Sequence, residues 1–451
     1  MPGFDDWAPE SHATLQRRIA DDWRRLLVAG AAGLVVAATA IKFASEPFHV
    51  NRDSALFQHA GWYILEGATL YVDIWDLKPP LVYAVTTLLA FLTGGNMALL
   101  HVVSVAVAVA AVTGGVVLTG FTVHSLTDDG FAAVTAGFSM FVLTSVYAFP
   151  YAGIRPKYFA FLCAAAALSL AVEDRPLAAG TAAALGAGFW QLGGGVAALV
   201  VAMALQRGGV TAAVRTVTGG LAVAALTVLP FVLTGTAIPL FVEVVLAPVY
   251  GVERYTVPGR ALAFVAELGP GVFLVPVAAY GWWRGVRAEW RTYWWVAAGG
   301  LSYLFQIFLE FQGAIELILL FLFLALGVGV LAARARTPSG RSLVAAAVVV
   351  LVVTSLYWNA SPVTPVRDEV EEARDQFGVS AYEDLPADPP GSPSMREIYW
   401  NKLQPENCHY RLGDKQKYFE TATGGSIEKE RCGQWPFDEP PRSWLVDAVV
   451  P

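Results

Sequence analysis

Apolar runs of membrane-spanning length recur along the chain from Leu26 to Trp358, separated by short polar breaks. Eleven of them read as spans: 26–44, 99–123, 131–149, 158–172, 177–190, 193–205, 212–233, 262–283, 293–309, 317–333 and 343–358. A helix needs roughly 20 mostly apolar residues to cross about 30 Å of hydrocarbon. Lipid offers no partner for a free N–H or C=O, so segments of this kind are read as helices. One further apolar stretch, 79–92, is short and opens with Pro79-Pro80. The segment before Asp22 is polar, and no small-residue cleavage site follows the first apolar run, so that run is read as a retained span. Beyond Trp358 the pattern breaks down: residues 359–451 carry 17 acidic and 10 basic side chains and are rich in proline. No internal repeat is visible.

The basic residues orient these spans, because Lys and Arg in short loops favour the cytoplasmic side. If 79–92 lies in the interface, one side receives Arg17, Arg18, Arg24, Arg25, Arg175, Arg207, Arg215, Arg284, Arg287, Arg291, Arg334, Arg336 and Arg341. The other receives only Arg52, Lys78, Arg155, Lys157, Arg254 and Arg260 in its short loops. If 79–92 spans, every later loop changes side and the first basic cluster conflicts with the rest. The expected organisation is a cytoplasmic segment 1–25, a transmembrane domain 26–358 with a first outer loop 45–98, and an extracellular domain 359–451. The expected fold is an all-α polytopic membrane protein with interfacial helices and a small α+β external C-terminal domain. It would sit in the cell membrane as a multi-pass protein.

Composition agrees with this division. The chain has 451 residues, of which 56% are hydrophobic and 15% charged, against about 25% charged in soluble domains. The net charge of -7 and the lack of a basic stripe argue against a nucleic-acid partner. There is no P-loop, dinucleotide fingerprint, HExxH or CxxC pair. Few charges sit in mid-span, which argues against a pump with a buried proton relay. Cys163 lies within a span and reads as a buried apolar side chain, whereas Cys408 and Cys432 lie in the external tail, where a disulfide is expected.

The first outer loop is the densest polar sequence in the membrane region, and loops this long are often functional. It holds Asn51-Arg52-Asp53-Ser54, Gln58-His59, Glu66-Gly67 and Tyr71-Val72-Asp73-Ile74-Trp75-Asp76-Leu77-Lys78-Pro79-Pro80. Asp53 could serve as a general base for an acceptor hydroxyl, or could cap an amphipathic helix over 54–65. Asp73 and Asp76 form an Asp-x-x-Asp pair that could bind substrate or a divalent metal, although metal sites usually converge several ligands, or one of them could pair with Lys78. Lys78 could hold a phosphate, or anchor the loop at the interface. Arg155 and Lys157 flank Pro156 at the outer mouth of a span. Positive charge is disfavoured there, and a phosphate would account for it; a lipid headgroup is the alternative. Further acids in later outer loops include Glu243 and Glu253. Glu310, Gln312 and Glu316 interrupt an apolar stretch and are candidate substrate contacts. Gln312 and Glu316 would share one face if that stretch is helical.

The arrangement of Arg52-Asp53-Ser54, Gly67, Tyr71 and Trp75-Asp76-Leu77-Lys78-Pro79-Pro80-Leu81 resembles the first-loop signature of polytopic glycosyltransferases of the GT-C type, which use lipid-phosphate-linked sugars. Within that class the chain looks most like the archaeal dolichyl-phosphate-mannose mannosyltransferases, a subgroup also suggested by 395–402 and Cys408-His409-Tyr410-Arg411 in the tail. The resemblance implies transfer of mannose from a dolichyl-phosphate donor to a glycan acceptor on lipid or glycoprotein, such as an N-linked surface-layer glycan. It makes Asp53 the catalytic acid of the first loop, and Lys78, Arg155 and Lys157 the cations beside the donor phosphate. It implies no cofactor. The commoner family pattern has Glu after the first-loop Asp, whereas Ser54 stands here; paired acids therefore give no support for a divalent metal. Transfer of another lipid-linked group, a polyprenyl-sugar flippase and a receptor with a binding tail are the competing readings. A flippase would show paired inverted repeats, and a receptor leaves the polar first loop unexplained.

Overall fold

The computed structural model describes residues 8–250, 255–309, 311, 313–360, 365–379, 385, 391–404 and 417–419. Among these residues the secondary structure is helical, with β-type pairing only as isolated bridges such as that between Leu70 and Ile74. Six helices are long and apolar enough to cross a membrane: Trp23–Ser45, Met97–Thr127, Gln191–Leu233, Val257–Ala288, Ala314–Ala333 and Pro338–Ala360. The protein is a multi-pass helical membrane protein. Its described tail residues add helices Pro365–Asp375 and Met395–Asn401 and no strand. Cys408 and Cys432 lie outside the described residues.

Hydropathy alone misjudges the geometry in places. The run 131–149 is not one straight helix: Gly130–Val142 and Ser145–Ala152 meet at 78°, with Leu143 extended at ψ 98 between them. Pro156–Val172 has 17 residues and Pro176–Phe189 has 14, so at about 1.5 Å per residue neither reaches 30 Å unaided. The runs 193–205 and 212–233 are joined in Gly195–Leu233, which breaks at Gly209 (φ 67, ψ -163). Glycine takes that left-handed φ without a Cβ clash.

The chain forms two compact units. The first comprises Met1–His49, Val105–Ala224 and Tyr255–Phe377. Its centre is the helix Ile318–Ala333, apolar on every face and buried from Ile318 through Val330, as a helix without a polar stripe must be. Neighbours pack on it through small residues. A Cβ at Gly281 would lie 2.0 Å from the Gly327 carbonyl oxygen, and one at Gly299 would lie 2.1 Å from the Phe323 ring. Such contacts are the usual means of tight packing where lipid supplies no hydrophobic drive between helices. Trp282 reaches across and donates its indole N–H to the Phe323 carbonyl at 3.0 Å. The tail helix Pro365–Asp375 belongs to this unit, where Tyr255 donates its hydroxyl to Asp375 at 3.1 Å.

The second unit comprises Val50–Ser104, Ala225–Arg254 and Gly378–Pro451. It is built on a loop helix, Arg52–Leu65, packed against Leu81–Leu92. Gly61 permits the contact, because a Cβ there would lie 2.4 Å from the Thr86 backbone. On the loop helix also packs the short tail helix Met395–Asn401, started by a capping box of Ser394 and Glu397. Tyr399, fully buried, shares its hydroxyl between Gln58 Oε1 at 3.1 Å and the Met97 carbonyl. Lys402 places its ammonium 5.6 Å above the Trp62 ring. Burial lowers the pKa of His59 to about 4, with a backbone hydrogen bond at Leu403 acting in the opposite direction.

Two outcomes follow for stability. Gly281→Val should lower the thermal midpoint in detergent, read by tryptophan fluorescence, through overpacking worth on the order of 2 kcal/mol; an unchanged midpoint would deny the Gly281–Gly327 contact. An unfolded histidine takes up its proton near pH 6.5, whereas folded His59 stays neutral down to about 4. Its contribution is therefore complete above pH 6.5 and is lost as pH falls through 4, by on the order of 3 kcal/mol. The midpoint should fall between pH 7 and pH 4.5, and His59→Gln should flatten that slope. A slope identical in the variant would contradict the assignment.

Candidate active site in the first long loop

The stretch from Thr69 to Lys78 is a tight, internally bonded turn. Tyr71 is fully buried and sits at φ 66, a conformation costly for a bulky residue. Its N–H donates to the Ile74 carbonyl at 2.9 Å and its hydroxyl to the Lys78 carbonyl at 2.8 Å. Its ring lies 5.6 Å from that of Phe231 and 6.3 Å from that of Tyr83. Trp75, also buried, donates its indole N–H to the Val72 carbonyl at 2.7 Å. Asp73 accepts the Thr69 N–H at 2.7 Å and so closes the turn from within. These contacts fix the backbone that carries Asp76 and Lys78.

Asp76 accepts hydrogen bonds from the Tyr83 hydroxyl and, at 2.7 Å, from the Leu77 N–H. Burial pushes its carboxyl pKa up, and the charge of Asp53 adds to that rise. The cation of Lys78 and the two hydrogen bonds oppose it. Asp53, Asp76 and Lys78 therefore occupy one electrostatic neighbourhood. Asp53 is exposed and stands in the first turn of the loop helix, where a negative charge is favoured by the helix dipole. The alternative that Asp53 caps this helix does not hold: the cap is Asn51, whose side chain accepts the Asp53 N–H at 3.0 Å.

The fold adds two groups to this site, Tyr83 and the outer-loop acid Glu243. Tyr83, in the first turn of Leu81–Leu92, supplies the hydroxyl on Asp76. Its signal in the sequence is a lone tyrosine shortly after Pro79-Pro80 in an apolar run. Glu243 is fully buried in the π-helical turn Val242–Leu246, a distortion frequent at functional sites. Its charge, with that of Asp76, helps to raise the Tyr71 pKa well above its usual value, a rise due first to burial. Leu77 packs in the small core of Val242, Ala247 and Phe419.

Among the described residues the remaining candidates have partners of their own. Asp73 and Asp76 have separate partners, one in the turn and one on Tyr83. Among the described residues no three His, Cys, Asp or Glu side chains converge as metal ligands. Arg155 and Lys157 belong to the first unit. Lys157 is paired with Glu316 at 2.9 Å, both side chains about 12–13% exposed, and its ammonium lies 5.4 Å above Trp190. Part of the reason for a cation there is thus a counter-charge within the protein. Arg155 precedes Pro156 at the start of Pro156–Val172 and lies 5.9 Å above the Phe149 ring. Its Nε is buried without a hydrogen bond among the described residues. Glu310 and Gln312 lie outside the described residues. The reading that pairs Gln312 with Glu316 on one helix face therefore also lies outside the described residues; Glu316 itself stands in the 3-10 turn Ala314–Leu317.

Comparison with known proteins gives two matches. Residues 67–229 match the family model described as DolP-mannose mannosyltransferase. That stretch includes Asp73, Asp76, Lys78, Arg155 and Lys157, while Asp53 precedes it. A dolichol phosphate-mannose mannosyltransferase of Haloferax volcanii is 27% identical over 420 residues, covering 85% of this chain and 91% of the relative. No solved structure matches. The chain is thus similar, along most of its length, to a dolichol phosphate-mannose mannosyltransferase, the class of glycosyltransferase that its first-loop residues resemble.

Proposed function

We propose that this protein transfers mannose from a dolichyl-phosphate-mannose donor to a sugar hydroxyl of an N-linked glycan, with inversion, at the outer face of the membrane. The observation that carries the reading is the fixed turn that holds Asp76 and Lys78, with Tyr71 on the Lys78 carbonyl and Tyr83 on the Asp76 carboxylate, whose charge is felt together with that of Asp53. The matched family and relative support the donor; the surface-layer acceptor rests on the resemblance alone. Eleven spans, with the first loop and the tail on the outer side, are the topology that the distribution of arginines supports.

In this mechanism Asp53 takes the proton of the acceptor hydroxyl as its oxygen attacks the anomeric carbon. The bond from that carbon to the phosphate oxygen breaks on the opposite face, and its electron pair leaves with dolichyl phosphate. Lys78 meets the charge that develops on the phosphate, where fixed electrostatics act most strongly. Phosphate is a good leaving group, so one base and one cation suffice, unlike the two carboxyl groups of a glycosidase. Asp76 and Tyr83 hold the segment that presents Lys78. Asp73 keeps that segment folded. The reaction as written does not depend on Arg155, Lys157 or Glu316; Arg155 and Lys157 remain proposed contacts for the donor phosphate, and Glu316 for substrate.

Asp53→Asn should lower sugar transfer by at least about a hundredfold, with membrane accumulation and thermal midpoint unchanged. Glycans from a strain carrying only that variant should be one hexose shorter by mass spectrometry, with the lipid-linked hexose accumulating. Turnover at the wild-type rate would remove Asp53 as the base. The topology is tested separately. A Glu66→Cys chain lacking its other cysteines should react with a membrane-impermeant maleimide in intact cells. Reaction only after lysis would place the first loop inside.

A further inference from the structure

In the first unit, a cavity of about 350 Å³ opens where Pro156–Val172 turns into Pro176–Phe189 beside the break in Gly195–Leu233. One wall is apolar, with Ala179, Val200 and Ala204. The other carries Asp174, Arg207 and Arg215. Gly180 and Gly219 bring the two helices together here: a Cβ at Gly180 would lie 1.9 Å from the Thr216 oxygen, and one at Gly219 would lie 2.2 Å from the Leu177 oxygen. The break at Gly209 then leaves room beside the arginines.

The arginines are unequal. Arg207 uses one nitrogen, Nη1, to bind the last carbonyls of the preceding helix, Ala171 at 3.2 Å and Val172 at 2.8 Å, and Asp174 at 3.4 Å. A guanidinium has five donors, so Arg207 keeps donors on the edge these bonds do not use. Arg215 is exposed and has no hydrogen bond or ion pair among the described residues. Arg207 also lines an adjoining cavity with Arg291. Two arginines and one aspartate line the cavity, and Arg291 lines the adjoining one, on the side that the charge pattern assigns to the cytoplasm. Around the mouth the surface is apolar and exposed: Leu177 is 52% accessible, Val210 70% and Val214 56%.

We infer that this cavity binds the phosphate headgroup of an anionic membrane lipid. Guanidinium groups match phosphate oxygens in planar, bidentate geometry, and the exposed Leu177, Val210 and Val214 offer hydrocarbon contact for acyl chains. A free phosphate would use the arginines and leave the apolar mouth unused. The lining includes neither Asp53 nor Lys78, and its occupancy is measured without reference to sugar transfer.

The test is native mass spectrometry of the full chain, delipidated in detergent, titrated with phosphatidylglycerol, phosphatidylcholine or inorganic phosphate. Phosphatidylglycerol should bind more tightly than phosphatidylcholine. Arg215→Ala should weaken it about fivefold, the worth of one cation near an anionic headgroup, while Arg336→Ala, an exposed arginine that does not line the cavity, should not. Ala204→Phe, which fills the cavity and keeps both arginines, should weaken it too. Thermal midpoints confirm that the variants are folded. Equal binding of phosphatidylglycerol by the wild type and both cavity variants would overturn the site. Inorganic phosphate binding as tightly as the lipid, with the same loss in Arg215→Ala, would assign the cavity to a free anion and overturn the lipid.

Discussion

A carboxylate that gives up part of its water must be met by donors or it will not stay charged. At Asp76 this constraint organises the candidate site. Tyr83 and the Leu77 N–H satisfy the carboxylate, and Lys78 offsets its charge. Tyr83 lies in a helix packed on the loop helix that carries Asp53. Tyr71 ties down the Lys78 carbonyl from an unfavourable φ. A reaction at a membrane surface needs its charged groups held in place, since water there competes for each of them. The loop meets that need by placing its polar groups on bonded backbone rather than on free side chains.

In the first unit the organising rule is steric rather than electrostatic. Ile318–Ala333 has no polar face, so nothing but fit distinguishes one neighbour from another. Gly281, Gly299 and Gly327 set how near those neighbours come. Charged pairs are placed toward helix ends. Arg341 meets Asp129 at 2.5 Å, and Asp129 also caps the helix Gly130–Ser139. Lys157 and Glu316 likewise join a helix start to a 3-10 turn.

The class of fold was legible in the sequence because spans are long and apolar, and lipid permits few backbone solutions. Asp53 and Lys78 were legible as candidates because polar density at that loop exceeds what a connector needs. Other features depend on partners distant in sequence. Lys157 and Glu316 are separated by 159 residues, and nothing local marks them as a pair. Tyr83 reads as an interfacial aromatic until the turn folds back to bring Asp76 to it. The bend after Val142 is invisible to hydropathy, which registers apolar character but not direction.

Tyr399 bonds to Gln58 across 341 positions of chain. Translation proceeds from the N-terminus, so the loop helix is made early and the segment that buries its Gln58 and His59 comes near the end. A nascent chain with all of its long apolar helices already made still presents that face of the loop helix to water. Synthesis of the tail helix, rather than of the last long apolar helix, is the event that finishes the surroundings of Gln58 and His59. A chain that stops before Met395 thus has the long apolar helices of the protein without the packed loop helix, which separates the making of the anchor from the finishing of that loop in time.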